Sequence, residues 1–432
     1  MRIKGVFRRQ IETIKRSGLP AVRRLSYRIA RGLCLMLLLL PVSVPLFILI
    51  RLLQPWLLIR LNPLISSRIG HFAANTELYL CERDAGLNVP NQRHIDLSFY
   101  ADIFVCNKQL ARMWRRCLHI WPAWLLEPIF LLNKFFPGGA VHEVGNNTCG
   151  DRDVNNLLEK TAPNLSFTDE EEVAGKAGLE KLGVPVGAKF ICLIGRDSAY
   201  LETMVNPGGN FGYHNFRDVD IDNFVLAANT LADLGYHVIR MGRVVKARIG
   251  SVNPKVIDYA VSNLQSDFMD IYLGANCFFC LSVGTGFDSI PYIFRRPVCY
   301  VNMVPVGYLN TFVKNSVAIC KKHWLATERR YLTLQEIFKR ELGFSHDSME
   351  YSIQDVEVKE NTPKEIKDLV LEMLARLNSE WNPMPGDDDL QRRFWQIFSA
   401  NSTFKYQHGS LHGKVRLRYG AQFLFDNPAW LT

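Results

Sequence analysis

Apolar positions along the chain fall into three regimes. The first is a continuous run, "GLCLMLLLLPVSVPLFILI" from Gly32 to Ile50, 19 residues without a charge. As a helix rising ~1.5 Å per residue it reaches about 28 Å, so membrane contact is expected. Pro41 and Pro45 each remove a backbone donor, and Arg51, Gln54 and Pro55 interrupt the apolar stretch that follows. That pattern favours a re-entrant or interfacial helical anchor over a single span. "RLLQPWLLIRL" stands where a secretory signal would place its small-residue cleavage site, so cleavage is not expected.

In the second regime, "HIDLSFYADIFVCNKQLARMWRRCLHIWP" passes from a strand-like run into helical spacing, the mark of a first α/β domain. Thr168 with Glu171 three residues later forms a capping box. Acids fill the first turn, and Gly183 then Pro185 stop that helix and set a domain boundary.

Beyond it the third regime alternates: "KFICLIG" (strand), "DIDNFVLAANTLADLG" (helix), "YHVIRMG" (strand), "KVIDYAV" (short strand), "SDFMDIYLGA" (helix), "CFFCLSVG" (strand), "TGFDSIPYIFR" (helix), "PVCYVNM" (strand). Continuous apolar strands joined by helices predict a parallel, doubly wound sheet that binds ligands beyond the carboxyl ends of its strands. The tail, up to "GKVRLRYGAQFLF", reads as helices, one of which can return to the first domain. The expected order is an arm and anchor over 1–60, a first domain over 61–183, a second over 184–380 and a tail over 381–432.

Charge changes this picture in one place. Residues 1–31 hold ten Lys or Arg and one acid, Glu12. Taking these from the totals of 51 and 42 leaves the body balanced at 41 of each. The formal charge of +9 is therefore a property of the arm, which suits an anionic lipid surface and disfavours nucleic acid. Ten cysteines in 432 residues are too sparse for a disulfide scaffold and point to a reducing compartment.

Candidate chemistry gathers at the predicted strand ends. Gly284 and Gly286 allow close backbone approach, Thr285 adds a hydroxyl, and the helix that follows turns its amides toward an anion. "IGRDSAYLE", "GYHNFRDVD" and "IRMGR" bring Arg196, Asp197, His214, Asn215, Arg217, Arg240 and Gly242 to the same edge. Guanidinium forks there suit a diphosphate; equally, Arg196 and Arg240 can pair with Asp197, Asp218 or Asp220 as scaffold bridges. "PGGNFGYHN" reads as a loop over the ligand or a solvated surface loop. Asp270, in the first turn of a helix, can reach a sugar or ribose hydroxyl. No His/Cys/Asp cluster has metal-ligand spacing, and no Walker loop is present. No tightly bound metal or cofactor is expected.

At these residues the chain resembles bacterial glycosyltransferase-like proteins associated with surface-polysaccharide biosynthesis. The similar segments are "RIGHFAANTELYL", "VCNKQLARMW", "GRDSAYLE", "YHNFRDVDIDNF", "GYHVIRMG", "SDFMDIYLGANCFFCLSVGTGF", "RPVCYVNMVP" and "ENTPKEIKDLVLEM". The resemblance implies two Rossmann-like domains of the GT-B type, the first holding an acceptor and the second a nucleotide-sugar. It places Thr285 and Gly286 at the donor phosphate. For the acceptor's proton, "RIGHFAANTE" offers His71 and Glu77; imidazole is the side chain suited to proton exchange near neutral pH.

The implied activity is metal-independent sugar transfer from a nucleotide-sugar to a lipid-linked or surface-glycan acceptor, at the cytoplasmic face of the bacterial inner membrane. A nucleotide-sugar epimerase of the same fold and a catalytically silent scaffold of a polysaccharide-assembly complex remain as alternatives.

Overall fold

The computed structural model describes residues 38–144, 150–200, 202–203, 212–401 and 411–432. The basic arm, residues 32–37 of the apolar run and residues 207–211 of the glycine-rich loop lie outside them. In chain order the first elements are α1 (38–53), β1 (Leu58–Leu64), α2 (Ile69–Asp84), β2 (His94–Tyr100), α3 (Lys108–Cys117) and α4 (Ala123–Phe135).

The chain divides into two compact units. Among the described residues, unit 1 takes 38–64, 90–101 and 118–144. Its sheet has two parallel strands, β1 and β2, in register from Leu58 opposite His94 to Leu64 opposite Tyr100. α1 and α4 bury Ile50, Leu126, Ile129 and Phe130 against Leu61 and Phe99 of these strands. Arg51 ties the two helices together, donating to Asn133 Oδ1 (3.0 Å) and to the Pro137 carbonyl (2.8 Å). No helix among the described residues is long and apolar enough to cross a membrane.

Unit 2 takes the remaining described residues, α2 and α3 included. The segment 61–183, expected as one Rossmann-like domain, is thus divided: its strands lie in unit 1, while α2 and α3 pack against elements of unit 2. The side chains account for this, because α2 buries Phe72, Leu78 and Leu80 and α3 buries Leu110, Met113 and Trp114, and α2 contacts the helix Ser289–Ile293 while α3 contacts the helix Asp267–Asn276.

Unit 2 continues with α5 (Asp169–Lys181), β3 (Phe190–Ile194), α6 (Val225–Asp233), β4 (His237–Arg240), β5 (Val256–Ile257), α7 (Asp267–Asn276), β6 (Cys280–Ser282), α8 (Ser289–Ile293), β7 (Val298–Met303) and β8 (Val317–Cys320). The capping box of Thr168 and Glu171 forms as the sequence predicts. β9 (Lys322–Leu325), β10 (Arg330–Tyr331), α9 (Leu334–Lys339), α10 (Ser348–Ser352) and β11 (Val356–Lys359) follow, the three strands forming a small antiparallel sheet. The chain ends with α11 (Pro363–Leu377), α12 (Asp387–Asn401), β12 (Arg418–Tyr419) and α13 (Ala421–Asp426).

Seven strands form the main sheet in the order β12-β8-β7-β6-β3-β4-β5, every pair parallel. All residues of β3 and β7 are buried, as continuous apolar strands covered on both faces require. The helices accordingly form two groups, α6 with α11 and α13 in one, α2, α3, α5, α7 and α8 in the other. β12 corrects the all-helical reading of the tail: it pairs parallel with β8, Tyr419 is fully buried, and its hydroxyl accepts the Cys320 N–H at 2.8 Å. The tail therefore completes the sheet of unit 2.

Candidate functional site: the carboxyl edge of the parallel sheet

The strand order reverses between β3 and β6. From β3 the chain moves outward to β4 and β5, then returns to β6 on the other side and continues to β7 and β8. Leu193 pairs with Leu281 and Ile194 with Ser282, so the turns Gly195–Asp197 and Val283–Thr285 leave the sheet side by side. That crevice is where an open parallel sheet places its ligand.

Cations converge there. Arg196 follows β3 and pairs with Asp218 at 3.5 Å. Arg217, at the end of a 3-10 turn spanning Gly212–Arg217, donates to the Gly284 carbonyl at 2.8 Å. Lys321, just past β8, is buried and donates to the Asp218 carbonyl at 2.6 Å. Burial and the neighbouring Arg196 pull the Arg217 guanidinium down to about 10, and burial lowers Arg196 as well. Lys321 falls to about 8, chiefly through burial. Burial, then Arg196 and Arg217, push His214 down to about 4, and its Nδ1 is buried without a partner. Like charges held this close, each disfavouring the other, are the arrangement an anion would relieve.

The glycine turn serves packing more than the sequence suggests. Gly284 has φ +74°, a conformation that favours glycine, and a side chain there would strike Met303. At Gly286 the neighbour is the start of α2: a Cβ on Gly70 would lie 3.0 Å from the Gly286 Cα. The helix expected after the turn begins as a 3-10 turn, Gly286–Asp288, and continues as the five-residue α8. The Thr285 hydroxyl donates to Asp288 Oδ1 at 3.1 Å, and Ser282 donates to the same oxygen. A buried carboxyl group and the start of α2 thus occupy the turn where an amide cradle was expected, and the cationic groups at this edge are Arg196, Arg217 and Lys321.

Asp288 is 1% exposed, and burial pushes its carboxyl from 3.8 up to about 7. An acid whose folded pKa exceeds its unfolded one holds an extra proton in the native state between those values. The stability gained is present below about 4 and lost as pH rises to about 7. The urea midpoint is expected to fall across that window, and Asp288→Asn to flatten the fall; an unchanged slope in the variant would remove Asp288 as its source.

Other expected donor residues do different work. Arg240 is 2% exposed and paired with Asp258 at 3.1 Å, so it is a scaffold bridge. Asp197 accepts the backbone N–H groups of Ala199 and Lys246, both at 2.9 Å, and so clamps the loops after β3 and β4. The Gly242 carbonyl accepts from Gln265 (3.1 Å). Asp270, raised to about 6 chiefly by burial, accepts from the Tyr259 hydroxyl (2.9 Å) and faces Arg243 at 3.6 Å. Asn215 is exposed beside His214.

On α2 the two proton-transfer candidates separate. His71 is half-buried, next to the Gly70 contact with the turn, its Nδ1 3.4 Å from Asn75 Oδ1. Glu77 is fully buried and bonded to Arg295 at 2.8 Å. A helix advances ~100° per residue, so six residues carry the two onto different faces. Glu77 is corrected to a structural carboxylate.

The sequence reading missed Lys321 and Asp288. The first had a signal, the apolar run "SVAIC" closed by "KK"; the second lay inside an apolar helix pattern. Among the described residues no group of three His, Cys, Asp or Glu side chains can hold a metal ion.

No family model and no curated protein matches the chain. Among solved structures it is similar to the ADP-heptose LPS heptosyltransferase II of E. coli, at 13% identity and TM-score 0.41, covering 74% of this chain and 99% of that one. A glycosyl transferase family 9 protein from Veillonella parvula is similar at 8% identity and TM-score 0.33, covering 56% of this chain and 79% of that one. At these identities neither likeness bears on what this chain binds.

Proposed function

We propose that this chain is a glycosyltransferase that moves a sugar from a nucleotide-sugar to a lipid-linked or surface-glycan acceptor, working at the cytoplasmic face of the bacterial inner membrane. The observation that carries the reading is the convergence of Arg196, Arg217 and Lys321 with His214, whose Nδ1 is buried without a partner, at the switch point of the parallel sheet. Nucleoside diphosphate departure needs positive charge that is fixed before the reaction, and side chains held by Gly284 and Asp218 supply it without reorganisation. His71 serves as the base for the acceptor hydroxyl in this reading. The basic arm and the apolar run keep the enzyme beside a bilayer-embedded acceptor, raising its effective concentration.

The test is thermal unfolding of the full-length protein in mild detergent with UDP, GDP, CMP and ADP. A ligand at ~100 times its dissociation constant adds ~2.7 kcal/mol. Stabilisation by one base, weakened by salt, is the expected result. No response to any of the four favours the silent scaffold, and conversion of a nucleotide-sugar without acceptor favours the epimerase.

A further inference from the structure

Unit 1 exposes more apolar surface than its small core explains. On α1 the side chains turned away from that core are Leu38, Val42, Ile48, Leu49 and Leu52, and Trp56 follows in the next turn at 75% exposure. Leu38, Val42, Pro45, Leu49, Leu52 and Trp56 recur at three- and four-residue intervals, and none of the exposed apolar set is charged, while Ser43, Ile50 and the partly buried Leu46 and Phe47 face inward.

α4 repeats the pattern independently. Trp124, Leu131 and Phe135 are exposed at 58%, 37% and 77%, with Trp121 and Phe136 at either end of the helix. Phe136 packs on Phe47 of α1 with ring centroids 5.0 Å apart, so the two helices are held side by side. Lys134 lays its ammonium 4.1 Å over the Phe130 ring, the posture of a side chain that buries its stem and keeps its charge at a boundary. The single acid of α4, Glu127, is exposed, and partial desolvation raises its carboxyl above the ordinary value.

We infer that α1 and α4 together form a lipid-insertion face, with α4 as a second contact independent of the basic arm, and that the occupant is an anionic bilayer surface. A helix with one side packed on protein and the other apolar lies in the interface plane instead of passing through it. Exposed tryptophans suit the headgroup boundary. The arm that leads directly into α1, ten bases against one acid, supplies the charge complement of anionic lipid. This inference concerns unit 1 and does not rest on the chemistry proposed for unit 2.

The test is co-sedimentation of the full-length protein with phosphatidylcholine vesicles holding about 30% phosphatidylglycerol, at low salt and at ~0.5 M NaCl. High salt screens the arm and leaves the apolar contribution. Trp124→Ser combined with Phe135→Ser is expected to lower the high-salt partition coefficient on the order of tenfold or more. Trp124→Phe, which keeps a ring in place, is expected to lose part of the fluorescence quenching that brominated lipids cause in the parent protein. Unchanged binding in the double variant, or unchanged quenching in Trp124→Phe, overturns the role of α4. Conversion of an oligomer to a monomer by the double variant, with vesicle binding intact, overturns it in favour of a second copy of the chain.

Discussion

Arg217→Met is expected to remove most of the stabilisation by the cognate nucleotide while leaving the unliganded protein as stable as before, or more so. Arg217 carries a charge that burial and Arg196 both disfavour, enough to pull it to about 10. That cost is present at every pH below about 10, so a comparison at pH 7 reads it in full. Methionine keeps most of the volume and drops the charge. The loss is one charge-assisted bond to the Gly284 carbonyl, on the order of 1.5–3 kcal/mol, which relief from Arg196 offsets. With a diphosphate bound the balance reverses, because the guanidinium then meets the opposite charge and can form paired bonds to it. Losing those should weaken binding ~100-fold. A concentration that gave ~2.7 kcal/mol before would then give ~0.4 kcal/mol. Urea titrations with and without nucleotide measure both quantities. A variant that is much less stable alone and still responds to nucleotide would make Arg217 a scaffold residue and remove the principal support for the donor site.

The parallel sheet was legible because its strands are buried on both faces and therefore read as unbroken apolar runs: "FICLI" and "VCYVNM" admit few other assignments. The edge that holds Arg196, His214 and Arg217 followed from that sheet, since a parallel arrangement aligns every carboxyl end. What the sequence could not express was partnership. Arg196 and Arg240 both stand at strand ends and both meet a carboxylate, but Arg240 is 2% exposed and held at 3.1 Å by Asp258, just past the neighbouring strand eighteen positions on, whereas Arg196 stands 3.5 Å from Asp218. The split of 61–183 was hidden for a similar reason. α2 has an apolar face whichever unit it covers, and the choice rests on Gly70 fitting against Gly286, more than two hundred residues later. β12 was missed because two residues, Arg418 and Tyr419, are too few to show alternation.

Arg295→Met is expected to destabilise the protein by at least about 3 kcal/mol, the cost of leaving a buried carboxylate without its cation. Arg295 donates to Glu77 (2.8 Å), to the Thr161 and Ala162 carbonyls (3.1 and 2.9 Å) and to the Thr161 hydroxyl (3.1 Å), so it joins α2 to the segment before α5. Glu77 is fully buried, and burial raises its pKa even with Arg295 beside it. Without Arg295 that pKa rises further. A raised carboxyl pKa means the native state holds the proton more tightly than the unfolded chain, so the variant loses stability as pH climbs above the ordinary value of 4.5 and recovers part of it in acid. Urea midpoints at pH 5 and pH 8 are therefore expected to differ more in Arg295→Met than in the parent. Adding Glu77→Gln removes the charge and should restore most of the loss at pH 8, as neutral replacement of a buried pair commonly does. A catalytic Glu77 would behave otherwise: Glu77→Gln with Arg295→Met would fold well and lose all transfer, whereas a structural pair leaves transfer measurable wherever the double variant is folded. Activity of that variant, read beside its stability, separates the two roles and leaves His71 as the remaining base candidate on α2.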